Sequence, residues 1–304
     1  MFPEVWGEAR AVVWPRLYGV AHVELDRLEL ELGGRGSGVE AVRAVAPGVV
    51  LGVVVDEGTQ EVRVSEAVAA GWGVSFDAVL EMAVRNAETR RFRVEEVTPG
   101  VRLVRDPVFV AGVWVSEVLR SQLGLRGALV GVGLLRDYLL IGVDGVEALT
   151  VMAGVAGDML RAGEALESVT PCRLVGQGWV AVDWGSSGVR EDLVGVARGL
   201  FADQCYGRQK TLLEQQCGGE WFVPELRVYR GPDGRVGSVT TWTEGVPSLL
   251  PVADRVDLVG EDLGRASLGW GELAAVPGLM VPCGLVPERY RVSGFPPAEL
   301  LAAA

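Results

Sequence analysis

Histidine is almost missing from this chain: His22 is the only one in 304 residues. A serine hydrolase of the common kind would have to use it as its base. Neither "GSSG" nor "GRASLG" has the G-x-S-x-G spacing of a nucleophile elbow. Lysine is equally scarce, with Lys210 alone against 27 arginines. Gln209, not glycine, precedes Lys210-Thr211, so the phosphate-wrapping G-x-x-x-x-G-K-[ST] loop is absent. "GVGLLR" (131–136) keeps two glycines of a dinucleotide turn but lacks the third and leads into a strand. No cofactor is expected. Zinc needs about four ligands in tetrahedral reach. His22, Cys172, Cys205, Cys217 and Cys283 are scattered and form no C-x-x-C pair, so no metal site is expected.

Four cysteines in a chain this long make no disulfide framework. No uncharged apolar run reaches about 18 residues, and no basic start leads into an apolar stretch. The expectation is a reduced, cytoplasmic protein without a membrane span. Net charge is −12, and it is evenly spread: residues 1–150 carry 21 acids and 15 bases, residues 151–304 carry 19 and 13. An evenly acidic chain repels phosphate backbones and anionic bilayers, which argues against nucleic acid and membrane surfaces as partners.

What is present is core material: 49% of residues are hydrophobic, and nine are tryptophan. The pattern predicts an α+β fold of mostly antiparallel hairpins backed by helices. A division near "GSSG" (185–188) gives a first part, 1–185, with two hairpin-helix units near 49–89 and 127–163. The second part, 186–304, has a long helix, a hairpin and a loop-rich end. Residues 3–18 read as an amphipathic helix bent by Pro15, and "HVELDRLELEL" (22–32) as a half-buried strand, followed by a flexible "GGRGSG" loop. "VVLGVVV" and "QEVRV" read as a hairpin through "DEGT". Ser75 is placed to cap a helix whose apolar stripe is Phe76, Val79, Leu80, Ala83 and Ala87. A helical pattern covers 189–216 and stops at Gly218; Pro232-Asp233-Gly234 then turns the clearest hairpin.

Three groups are candidates for function. On a strand, His22, Glu24 and Asp26 would share one face, where carboxylates could orient an imidazole. In "DQCYGRQK" (203–210), Arg208 lies three residues after Cys205 and could favour its thiolate, although Cys205 also continues the apolar row Ala197, Phe201 and Leu212. "TTWTEGVPSLLP" (240–251) is an apolar loop whose Trp242, Val246, Leu249 and Leu250 would dock a partner if exposed, or cover a sheet edge if buried. The reading that follows is a non-enzymatic binding or adaptor protein whose partner is another protein or a second copy of itself. The alternative is a small-molecule hydrolase or transferase using carboxylates with His22 or Cys205.

Residues 72–105 carry a tryptophan, a short gap, a capped helix with A-x-x-N, and two strands; here these are Trp72, Ser75, Ala83 and Asn86. This segment resembles the YtpQ-like bacterial proteins. The order that follows, a helix, a strand pair turning at Arg136-Asp137 and another helix, is also similar, so the resemblance covers about 65–175. It implies a cytoplasmic α+β protein of a bacterial system with no agreed activity, and it transfers no catalytic residue.

Overall fold

The computed structural model describes residues 3–33, 41–56, 61–216, 218–261 and 264–301. Residues 34–38 of the glycine-rich loop, 57–59 of the expected hairpin turn, and Cys217 lie outside them. The chain forms two compact units, one of residues 1–23 and 35–190, the other of residues 24–34 and 191–304. Both mix helices with mainly antiparallel sheets, so the fold is α+β.

The first unit opens with α1 (Trp6–Ala9) and β1 (Val13–Gly19), and α2 (Val20–Leu32) runs across the division into the second. Next come β2 (Arg43–Ala46), β3 (Val49–Asp56) and β4 (Glu61–Arg63). Helices α3 (Glu66–Gly71) and α4 (Phe76–Glu88) lead to β5 (Val94–Thr98) and β6 (Val101–Val104). They are followed by α5 (Pro107–Val113), α6 (Glu117–Ser121), β7 (Leu129–Leu135) and β8 (Tyr138–Val143). Helix α7 (Val146–Arg161), β9 (Cys172–Val175) and β10 (Gly178–Ala181) complete the unit.

Strand β3 is the centre of a four-stranded sheet, with β1 along one side and β2 and β4 on the other. Its residues 49–55 are all buried, as a run of Val and Leu interrupted only by Gly52 requires. A second sheet has the order β10-β9-β7-β8-β6-β5 and is antiparallel throughout. Phe109, Trp114, Leu139, Ile141 and Trp179 join Val49 and Leu51 in one core; Val53 and Val55 pack with Phe76, Val79 and Ala83 of α4 in another. Each such Val, Leu, Ile or Phe side chain, fully buried, contributes about 1.5–3 kcal/mol. Ser75 caps α4 by accepting the Ala78 N–H, with Asp77 in the first turn and Arg85 in the last.

Two sequence expectations are corrected here. Residues 3–18 do not form one helix: only the four-residue α1 is helical, and Val13–Gly19 is a strand. The β-branched and aromatic run Val13-Trp14 favours extended chain, and Pro15 is tolerated because β1 is a sheet edge. Residues 22–32 are helical, not a strand. The alternation L-E-L-E-L is only five residues long, while Leu25, Leu28 and Leu32 recur at helical spacing and Arg27 pairs with Glu24 and Glu31.

The second unit is built on α8 (Glu191–Gln216), followed by β11 (Arg227–Arg230), β12 (Val236–Thr243), β13 (Ser248–Pro251) and β14 (Arg255–Gly260). Then come β15 (Gly264–Gly269), α9 (Trp270–Ala274), β16 (Val281–Pro282), β17 (Arg289–Val292) and α10 (Ala298–Leu301). Gly234 has φ 82° in the Pro-Asp-Gly turn between β11 and β12, as its place there demands. One sheet has the order β11-β12-β14-β15, in which β12 and β14 run parallel. The other has the order β13-β17-β16. The stretch after 259, expected to be irregular, therefore holds three strands and two short helices. Gly195 and Gly199 bring α8 close to the first sheet: a Cβ on either would lie 2.9 Å from Val236 or Val228. Among the described residues, no helix is long and apolar enough to cross a membrane.

Candidate functional site

The trio His22, Glu24 and Asp26 does not assemble. At about 100° per residue, a helix turns Glu24 well away from His22. Glu24 pairs with Arg27, and Asp26 accepts from Arg208 at 2.7 Å. His22 does meet a carboxylate, but that of Glu167, 3.6 Å from its Nδ1. Glu167 is buried and accepts the Gly19 N–H at 2.7 Å and Arg136 Nε at 2.8 Å. The Arg136 guanidinium also lies 4.9 Å from the centre of the Tyr18 ring. Gly19 permits this approach, since a Cβ there would sit 1.9 Å from the Glu167 carbonyl oxygen. The sequence carries no signal for Glu167, which is 148 residues from the N–H it holds.

The stretch 203–210 lies in the middle of α8. Cys205 is buried at 3% exposure. Arg208 donates to Asp26 and to Glu29 at 2.9 Å, so its charge is committed to two carboxylates. Two of the proposed site residues, Asp26 and Arg208, thus meet as an ion pair. Lys210 pairs with Glu214 and donates to the Val223 carbonyl.

Sequence reasoning missed the structural weight of Tyr206 and Gln209. Both face Arg289, which is fully buried. The Arg289 Nε donates to Gln209 Oε1 at 2.5 Å, Nη1 to the carbonyls of Leu249 and Pro224, and Nη2 to that of Tyr206. Four acceptors satisfy the guanidinium, but burial still lowers its pKa to about 10. The Tyr206 hydroxyl donates to the Glu288 carbonyl at 2.8 Å and accepts the Val252 N–H at 3.1 Å; burial raises it to about 12. This network ties α8 to β13, to β17 and to the connection after β13.

That connection walls a cleft of about 290 Å³ between α8 and β12. Gly195, Gly199 and Ala202 supply the helix side, Val236 and Ser238 the strand side, and Val252–Asp254 the third. Asp254 is fixed from both ends. Its Oδ2 accepts from Ser238 N–H at 2.7 Å and Ser238 Oγ at 2.8 Å, and its own N–H donates to Ser238 Oγ at 3.0 Å. Its carbonyl accepts the Trp270 N–H at 3.1 Å.

The segment 240–251 turns inward. Trp242 and Leu250 are fully buried, Trp242 edge-on to Phe295, and Leu249 packs with Leu28, Leu213 and Val223. Of the four residues expected to dock a partner, three are therefore core, and only Val246 is exposed. The reason is packing: Leu249 and Leu250 lie on β13, which pairs with β17 and is buried along its length, and Trp242 on β12 packs with Leu250 and Val292. Phe222 lies across the start of β13, donating its N–H to the Pro247 carbonyl and accepting the Leu249 N–H, both at 2.9 Å. Its side chain is 48% exposed. Among the described residues, no group of three or more His, Cys, Asp or Glu side chains gathers to hold a metal. No family model, no curated protein and no solved structure matches the chain.

Proposed function

We propose that this chain is a binding protein of a bacterial multi-protein system, acting through contacts with another protein or a second copy of itself. The observation that carries the reading is Phe222. A large aromatic side chain stands half in solvent on a backbone pinned by two hydrogen bonds, with Val246 of the neighbouring turn also exposed. Rigid, exposed aromatics lose little entropy on binding and serve as interface anchors. The even acidity of the chain favours a protein partner over a polyanion. A photo-crosslinking residue in place of Phe222, in the native cell, tests this. The expected result is one discrete adduct, competed away by excess wild-type chain but not by the Phe222→Asp variant. A yield no higher than from exposed Val97 on β5 overturns it.

A second reading, a hydrolase or transferase using a carboxylate and His22, has the 3.6 Å approach of Glu167 in its favour. It requires that His22→Ala abolish turnover of an ester or amide substrate while leaving the circular dichroism unchanged. Equal turnover in wild type and variant removes it.

A further inference from the structure

We propose that the cleft between α8 and β12 binds a small zwitterion of the α-amino-acid class, at a place separate from the Phe222 surface. Two opposite charges line it, Arg198 and Asp254. Among the described residues they form no ion pair with each other, and Arg198 makes no side-chain hydrogen bond. That sets Arg198 apart from Arg208, Arg136 and Arg173, each held by carboxylates. The Asp254 carboxylate is oriented in advance. Ser238 holds Oδ2 with two donors, and the Asp254 backbone is hydrogen-bonded on both sides. Oδ1 is left to accept from a ligand.

A guanidinium is the side chain best shaped to take a carboxylate through paired N–H donors. An oriented carboxylate with one uncommitted oxygen takes an ammonium. A ligand carrying both, a short distance apart, bridges the two. Volume limits its size: about 290 Å³ is at the small end of ligand sites, which run from about 300 to 1,000 Å³. Leu226, Ala202 and Val252 offer apolar surface for a side chain. Gly195 and Gly199 let α8 pack directly on Val236 and Val228, which fixes the helix wall against the sheet.

The test uses the full chain, labelled with ¹⁵N, titrated with each standard L-amino acid while backbone amide shifts are followed. The expected result is saturable movement of Gly237, Ser238, Ala253 and Asp254 amides with at least one of them. The N-acetylated and the decarboxylated forms of that amino acid should each bind about tenfold more weakly or worse. Arg198→Gln, a substitution at an exposed helix position, should weaken binding by at least about tenfold without changing the melting temperature. Asp254→Asn should also weaken binding by at least about tenfold, with Arg198→Glu as a second variant that leaves the Ser238 contacts intact. No saturable shift with any amino acid overturns the proposal. So does binding that is unchanged in Arg198→Gln and Arg198→Glu, or binding matched by the N-acetylated or the decarboxylated form.

Discussion

Arg289 is held by an amide: its Nε donates to Gln209 Oε1 at 2.5 Å, and backbone carbonyls accept from the rest of the fork. A buried donor left without its acceptor costs about 1–3 kcal/mol, more when charged. Gln209→Ala should therefore lower the unfolding free energy of the full chain by about 2–3 kcal/mol, read by urea titration followed through tryptophan fluorescence. A loss below about 0.5 kcal/mol would mean that the network does not depend on the glutamine.

Alkaline pH should destabilise the chain in a resolvable order. Burial raises the Cys172 thiol from 9.0 to about 12, and the Tyr206 hydroxyl from 10.0 to about 12. Below pH 9 both groups are protonated, folded or unfolded, and their stabilising contribution is complete. As pH rises toward 12, the unfolded chain releases protons that the folded chain retains, so stability falls. Arg289 acts in the opposite direction, because burial brings its folded value down to about 10, well below that of a free guanidinium. Its contribution rises with pH only above about 10, so the fall is cleanest between pH 9 and 10. Cys172→Ala should flatten that part of the curve, and Tyr206→Phe should flatten the part above it. Denaturation midpoints against pH, with slopes parallel to wild type in both variants, would contradict this.

Thiol reactivity should follow burial. Cys205 and Cys172 are buried, whereas Cys283 is half-buried, although burial also raises its thiol. Brief iodoacetamide treatment of the native chain at neutral pH, with peptide mass spectrometry, should modify Cys283 before Cys205 or Cys172. Preferential labelling of Cys205 would instead mark it as an activated nucleophile.

Two glycines should respond to alanine with opposite signs. At Gly19 the new methyl would meet the Glu167 backbone, so Gly19→Ala should destabilise by about 1–3 kcal/mol. At Gly154, in the middle of α7, nothing lies within 4 Å of the added Cβ. Gly154→Ala should stabilise by about 0.5–1 kcal/mol through helix propensity. Thermal melts of the two variants decide it, and a shared sign would refute the assignment.

The legible parts of the sequence were those governed by neighbours in the chain. Ser75 and its apolar stripe specify α4, Arg136-Asp137 turns β7 into β8, and Pro232-Asp233-Gly234 turns β11 into β12. The region around His22 misled because five alternating residues fit a strand as well as a helix, and tertiary packing decided between them. The tail was unreadable because β16 has two residues and β17 finds its partner β13 about 40 positions back. The same distance hides the polar network. Gln209 and Arg289 are 80 residues apart, and Ser238 and Asp254 are 16. No local spacing announces either pair. In "DQCYGRQK" the cysteine and arginine drew the eye, while the tyrosine and glutamine beside them hold the interior.

The segment 24–34 has a practical consequence for anyone trimming the gene. A fragment that begins at residue 191 encodes every strand of the C-terminal half yet omits Leu28, which packs with Leu213, Val223 and Leu249, and both acids that hold Arg208. Such a truncation exposes a greasy notch and strands a cation, so the shortened product should be sticky in solution, and supplying a peptide spanning 20–33 in trans should restore its solubility.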